Sequence, residues 1–177
     1  SFDSGEHWQS LQLDLPNTPI NDLNVQVREN DLVAATSGRS FWVLDDLSPL
    51  QQAMDVQETE RHLLAPRHAY RLASGGGTGG GTSGRNPPNG AVIQYFLADG
   101  LEEGDQLSVE ILSAAGDLIR TYSTDPDSEL SPGAEALSPE TGLNRSTWNL
   151  RHESIPNSPG AYVFGSLLGR QAVPGDY

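Results

Sequence analysis

The amino-acid sequence predicts an all-β chain, and three observations carry the prediction. Apolar and polar residues alternate with a period of two through Leu11, Leu13 and Leu15 and again through Leu23, Val25 and Val27, the pattern of strands with one buried face. Turn-forming pairs such as Asp99-Gly100 and Pro159-Gly160 fall between the apolar runs, as a series of short antiparallel strands requires. Between two such strand-rich regions lies "ASGGGTGGGTSGRNPPNG", which loses too much backbone entropy on ordering, and has too little side chain to bury, to be an element of its own.

Taken in order, residues 1–50 contain "WQSLQLDL", "LNVQVREN", "DLVAATSGR" and "SFWVLDDL". Four strands fit there, and no run has a helical stripe. Residues 51–73 are a connector and the best helical or irregular candidate, although Pro66 stops any long helix. Residues 74–90 are the glycine-rich linker or loop. From residue 91 the strand pattern resumes in "AVIQYFLAD", "DQLSVEILSAAGDLIRTYSTD", "NRSTWNLRH" and "GAYVFGSLLG", with a further turn at Ala115-Gly116-Asp117 and a polar loop at 125–142. Residues 91–177 therefore read as an antiparallel β-sandwich. If its last strands lie beyond Tyr177, an open edge is left for a partner strand.

Composition narrows the functions. Hydrophobic residues make up 36% and charged residues 19% of the 177 residues, enough for a modest core. The net charge is −14, and all ten basic residues are arginine. Such a surface repels phosphate backbones and anionic lipid, which excludes nucleic acid as the expected partner. No run approaches the ~18 apolar residues of a membrane span. The absence of cysteine removes disulfides, thiolate catalysis and cysteine-ligated zinc. The chain opens at Ser1 with neither an initiator methionine nor a signal peptide, so it is expected to be a fragment or a processed product.

The most informative stretch is "SFDSGEHW", which places Ser1, Asp3, Gly5 and Trp8 in the pattern Ser-x-Asp-x-Gly-x-x-Trp. The Asp3 carboxylate can accept backbone N–H bonds across a turn. Gly5 supplies a backbone angle that a β-carbon penalises. Trp8 is expected to fold under the turn as an apolar plug, with its indole N–H on a carbonyl. This pattern resembles the Asp box of BNR-repeat families, among them sialidases, sortilin-type receptors and xyloglucanase-like glycoside hydrolases. "NDLNVQVRENDLVAATSGRSFWVLDDLSPLQQ" resembles the closing blade of large bacterial BNR-repeat, sortilin-like glycosyl-hydrolase-type proteins, whose usual form is "DLVAATHGRSIWVLDD". Ser37 stands at the position of that histidine, so no role of the histidine carries over. "HLLAPRHAYRL" and "NPPNGAVIQYFL" are similar to the family's passage out of the propeller, and "GLNRSTWNLRH" to a strand of its C-terminal immunoglobulin-like sandwich.

The resemblance implies a partial β-propeller, made of the last blade plus one strand, followed by an immunoglobulin-like sandwich. A whole propeller does not fit, since about 4–8 blades of roughly 40–50 residues are needed. An incomplete blade leaves strand edges unpaired, so another chain or a missing part of the same protein is expected to complete it. The implied setting is a secreted, periplasmic or cell-surface bacterial protein. The implied role is non-catalytic: closing the propeller and serving structural, glycan-binding or protein-interaction purposes. Two alternatives stay open, a glycoside hydrolase whose cleft lies mainly outside these residues and a sortilin-like peptide-binding propeller.

Candidate chemistry is sparse, and no catalytic residue is assigned. Asp45 and Asp46 follow the run "FWVL", and Arg39 could clamp a carboxylate or sugar. These three are the weak cleft candidates. Adjacent strand residues face opposite ways, so at most one aspartate lines a cleft, and a strand-end turn is the plainer reading for both. Asp3 is read as a staple. His62 and His68 are six apart, a spacing that fits neither a helix face nor a strand face, and no metal site or cofactor is assigned. His7 and His152 show no partner in the sequence. Trp42, Tyr95 and Trp148 could stack on sugar rings, but core positions suit them better. The glycine run lacks the Gly-Lys-Ser/Thr ending of a phosphate loop, and Asn144-Arg145-Ser146 is a formal N-glycosylation sequon.

Overall fold

The structure is a computed structural model, and it describes residues 1, 3–56, 59–71, 88–102, 104–125, 136–154, 165 and 167–177. These fold almost wholly into antiparallel sheets, with helix limited to two four-residue turns. The chain is all-β, as its alternation predicts. It divides into two compact units, Ser1–Glu58 and Thr59–Tyr177.

In the first unit, β1 (Ile20–Gln26), β2 (Asp31–Thr36) and β3 (Phe41–Leu44) form an antiparallel sheet with β2 in the middle. Positive backbone angles make both connections: Asn30 at φ 56° between β1 and β2, and Gly38 at φ 85° between β2 and β3, residue types that tolerate this region. The Thr36 hydroxyl donates to the Ser40 carbonyl at 2.7 Å and closes the second turn. The chain then enters the helical turns α1 (Ser48–Gln51) and α2 (Ala53–Val56). The Asn30 amide latches them, donating to Ser48 Oγ at 3.2 Å and exchanging hydrogen bonds with the Gln51 amide at 3.0 and 3.1 Å.

The fourth strand expected in "WQSLQLDL" is absent. Leu13 adopts φ 46°, and the Leu15 N–H turns back to the Gln12 carbonyl at 2.9 Å. Alternation makes a strand only where a neighbour accepts its N–H groups, and without one the backbone satisfies itself locally.

The second unit contains β4 (Arg61–Leu63), β5 (Ala91–Leu97), β6 (Ser108–Leu112), β7 (Leu118–Ser123) and β8 (Gly142–Trp148). One sheet has the order β4-β5-β8, and β6-β7 is a hairpin. The hairpin turns at the expected Ala115-Gly116-Asp117, where Gly116 takes φ 87°. The connector read at 51–73 is thus split. Residues 48–56 form helical turns in the first unit, whereas Arg61, His62 and Leu63 pair with Leu97, Phe96 and Tyr95 in the second. Most of the linker, residues 126–135 of the polar loop and residues 160–164 of the last expected strand lie outside the described residues.

The core of the second unit draws on both of its sheets: Ile93, Tyr95 and Leu97 from β5, Ile119 and Tyr122 from β7, Trp148 from β8, with Leu137 and Ala172. Register makes the β5–β8 face fill evenly. Ile93 opposes Ser146, Leu97 opposes Gly142, and Trp148 opposes Ala91, three bulky side chains facing small ones, while Tyr95 opposes Asn144. The aromatic tips are also satisfied. Tyr95 donates to the Ser138 carbonyl at 2.8 Å, and the Trp148 indole donates to the Arg151 carbonyl at 2.8 Å.

Burial differs sharply between the units. Leu97 is 1% exposed, whereas Val27 beside β1 is 90% exposed. Leu97→Ala is expected to destabilise the second unit by about 2–5 kcal/mol, and Val27→Ala to change stability by no more than about 0.5 kcal/mol. Urea unfolding followed by circular dichroism measures both, and equal losses would contradict the burial contrast.

Candidate functional site

The Asp-box residues form one hydrogen-bonded turn. The Ser1 hydroxyl donates to Asp3 Oδ1 at 2.8 Å and accepts the Gly5 N–H at 2.8 Å. Asp3 Oδ1 also accepts the His7 N–H at 2.9 Å, while Oδ2 meets His7 Nδ1 at 2.5 Å. The Trp8 indole N–H reaches the Gly5 carbonyl at 3.0 Å. Gly5 sits at φ 98°, and a β-carbon there would lie 3.7 Å from the Trp8 ring. Its need is therefore for backbone freedom more than for space.

Two details depart from the sequence reading. Trp8 does not plug the turn: its ring is 78% exposed, held by its N–H while no apolar layer among the described residues covers it. His7, which shows no partner in the sequence, is paired with Asp3. The signal was the four-residue separation across a tight turn. The Asp3 carboxyl is held far below its ordinary value of 3.8, first by the His7 backbone N–H and then by the His7 ring and the Ser1 hydroxyl.

Asp3, Glu6 and His7 also bring potential metal-ligating atoms within 4.8 Å of one another. The group is an open turn whose carboxylate already serves three hydrogen bonds, so its geometry is accounted for by the staple.

Arg39, Asp45 and Asp46 do not converge. Arg39 lies in the β2–β3 turn, where its N–H bonds to Thr36 Oγ1 at 3.2 Å and its carbonyl accepts the Trp42 indole N–H at 3.0 Å. The aspartates lie beyond the other end of β3, a strand that spans roughly 13 Å. Asp46 adopts φ 58°, takes the Asp31 carboxylate on its N–H at 2.9 Å and offers its own carboxylate to the Ser48 N–H at 3.0 Å. That is a strand-end turn leading into α1.

In the second unit a cleft of about 670 Å³ has mainly apolar walls, including Leu64, Ile93, Ile111, Trp148, Leu150 and Val173. Trp148 and Tyr95 are 4% exposed, so they serve the core and offer no open face for a sugar. Tyr177 meets Trp148 edge-on at 5.0 Å. His68 borders the larger cleft and His62 a smaller one. The sequon is closed in the folded chain. Asn144 is 5% exposed, and its amide donates to the Glu140 and Gly142 carbonyls at 2.7 and 3.1 Å.

Compared with protein-family models, with curated proteins and with solved structures, the chain matches none. The site is therefore judged on its own chemistry.

Because the Asp3 carboxyl ionises more readily in the turn than in an unfolded chain, its contribution is fully present above pH 3.8 and fades only as the pH falls towards its lowered value. The His7 amide proton, followed by NMR, is expected to keep its hydrogen-bonded shift down through pH 3.8. A midpoint at or above that pH would contradict the staple. Asp3→Asn should remove the carboxylate-dependent titration altogether.

Proposed function

We propose that this chain is the non-catalytic C-terminal portion of a secreted Asp-box propeller protein. In this reading, β1–β3 are blade strands completed by sheet from outside these residues, and the second unit is an immunoglobulin-like module that serves glycan or protein binding. One observation carries the reading: the first unit is a sheet without a core. Every residue of β1 is exposed, as are Phe41, Trp42 and Val43 of β3. Its buried apolar residues among those described are Ala34 and Val56. Such apolar exposure marks a surface made for contact, and the unpaired outer edges of β1 and β3 suit strand-to-strand addition. The Asp-box turn supports the same reading, since its hydrogen bonds make it a rim staple that survives without neighbours.

No helix among the described residues is long and apolar enough to cross a membrane, and the acidic surface suits an exported, water-facing protein. The non-catalytic assignment rests on Asp46, whose carboxylate accepts the Ser48 N–H at 3.0 Å in a strand-end turn, because glycoside hydrolysis generally needs two carboxyls facing the scissile bond, about 5 or about 6.5–9.5 Å apart.

Hydrogen exchange on the 177-residue chain tests the sheet. The amides of β1–β3 are expected to exchange at least ~100-fold faster than those of β5 and β8 in the dilute monomer, as weakly buried strands do. Equal protection in a monomer would overturn the incomplete blade. A glycan array and a reducing-sugar assay on the same sample separate binding from turnover, and release of sugar by this chain would overturn the non-catalytic role.

A further inference from the structure

Arg120 on β7 is 1% exposed and ranks among the largest fully buried side chains. A guanidinium stays protonated in proteins, so this is a charge withdrawn from water. Its surroundings hold it firmly but incompletely. The guanidinium carbon lies 5.2 Å from the centre of the Tyr122 ring. Nη1 makes two long contacts, to Asn149 Oδ1 at 3.5 Å and to the His152 carbonyl at 3.4 Å. Nε and Nη2 are buried and have no hydrogen-bond partner, and among the described residues no carboxylate forms an ion pair with Arg120.

The two orphaned atoms share one edge of the guanidinium plane. Their N–H bonds run parallel there and match the two oxygens of a carboxylate. A water could satisfy the donors, but the carboxylate of the neighbouring Glu153 is engaged by the Thr121 N–H at 2.8 Å and forms no ion pair with Arg120, whereas a bound anion supplies both acceptors and a direct countercharge. We propose that the Nε/Nη2 edge of Arg120 is a binding site for a small monovalent carboxylate. Chloride offers a single acceptor centre to a two-pronged donor. A phosphate brings more charge to desolvate and meets stronger repulsion from a chain of net charge −14. Entry needs local opening of the neighbouring 152–154 run, which meets β7 through Glu153 N–H to the Ile119 carbonyl at 3.1 Å, Thr121 N–H to the Glu153 carboxylate at 2.8 Å and Arg120 Nη1 to the His152 carbonyl at 3.4 Å.

The test uses the isotope-labelled full chain at constant ionic strength, titrated with sodium formate and separately with sodium chloride. One arginine Nε–H cross-peak, linked through its own backbone to Arg120, is expected to shift saturably with formate and not with chloride. The unfolding midpoint of the second unit should rise about 6 °C at ten times the dissociation constant, and Arg120→Met should lose that rise. An unmoved Arg120 cross-peak, an equal response to chloride, or a formate-dependent rise that persists in Arg120→Met would each overturn the site. Should Arg120→Met fail to fold, the cross-peak titration of the unchanged chain decides alone.

Discussion

Both units build antiparallel ladders, and in each a central strand is hydrogen-bonded on both sides, β2 in one and β5 in the other. What separates them is coverage of the sheet face. Along β5, Ile93, Tyr95 and Leu97 point in turn into a core shared with β7 and β8. Along β1, every residue stays exposed. A hydrogen bond exchanged against water contributes little net, while removing apolar surface from water contributes about 25 cal/mol per Å². The ladder therefore sets the shape of each unit, and the covered face decides whether that shape is stable alone.

Covering a face also forces an accounting of everything polar that goes inside with it. The second unit solves this at the rings by pointing each polar tip at a backbone carbonyl, Tyr95 at Ser138 and Trp148 at Arg151 outside the strands and Tyr122 at Thr147 within β8. The first two bonds tie loops that lack regular structure to the sheet. Burial also pushes the Tyr95 and Tyr122 hydroxyls above their ordinary value, which favours the protonated, donating form. Arg120 is where the accounting does not close within the described residues.

The strands that could be read in the sequence are those where alternation coincides with a turn signal and a partner. β2, β3, β5, β6 and β7 fall inside the expected runs, while β1 begins three residues before its run and β8 two residues before its own. The Leu11, Leu13, Leu15 run shows what alternation omits, since pairing is a non-local fact. β4 is the converse. Arg61-His62-Leu63 carries no strand pattern of its own and is extended because Leu97, Phe96 and Tyr95 offer it a ladder. Arg120 was invisible for a related reason. Charged residues are almost never fully buried, and only the packing around β7 reveals the exception.

The Ser1–Trp8 turn illustrates a different economy of information. Its bonds span no more than four residues, so the motif closes without help from the rest of the fold, and that locality is why it can be recognised in eight letters. Locality also constrains what it can do. A general acid or base works best with a pKa near the operating pH, yet the same N–H bonds that make the turn hold the Asp3 carboxyl far below that range. The residue is an acceptor that stays ionised, well suited to holding a backbone and ill suited to moving a proton. The hydrogen bonds of this turn thus favour an ionised acceptor at Asp3.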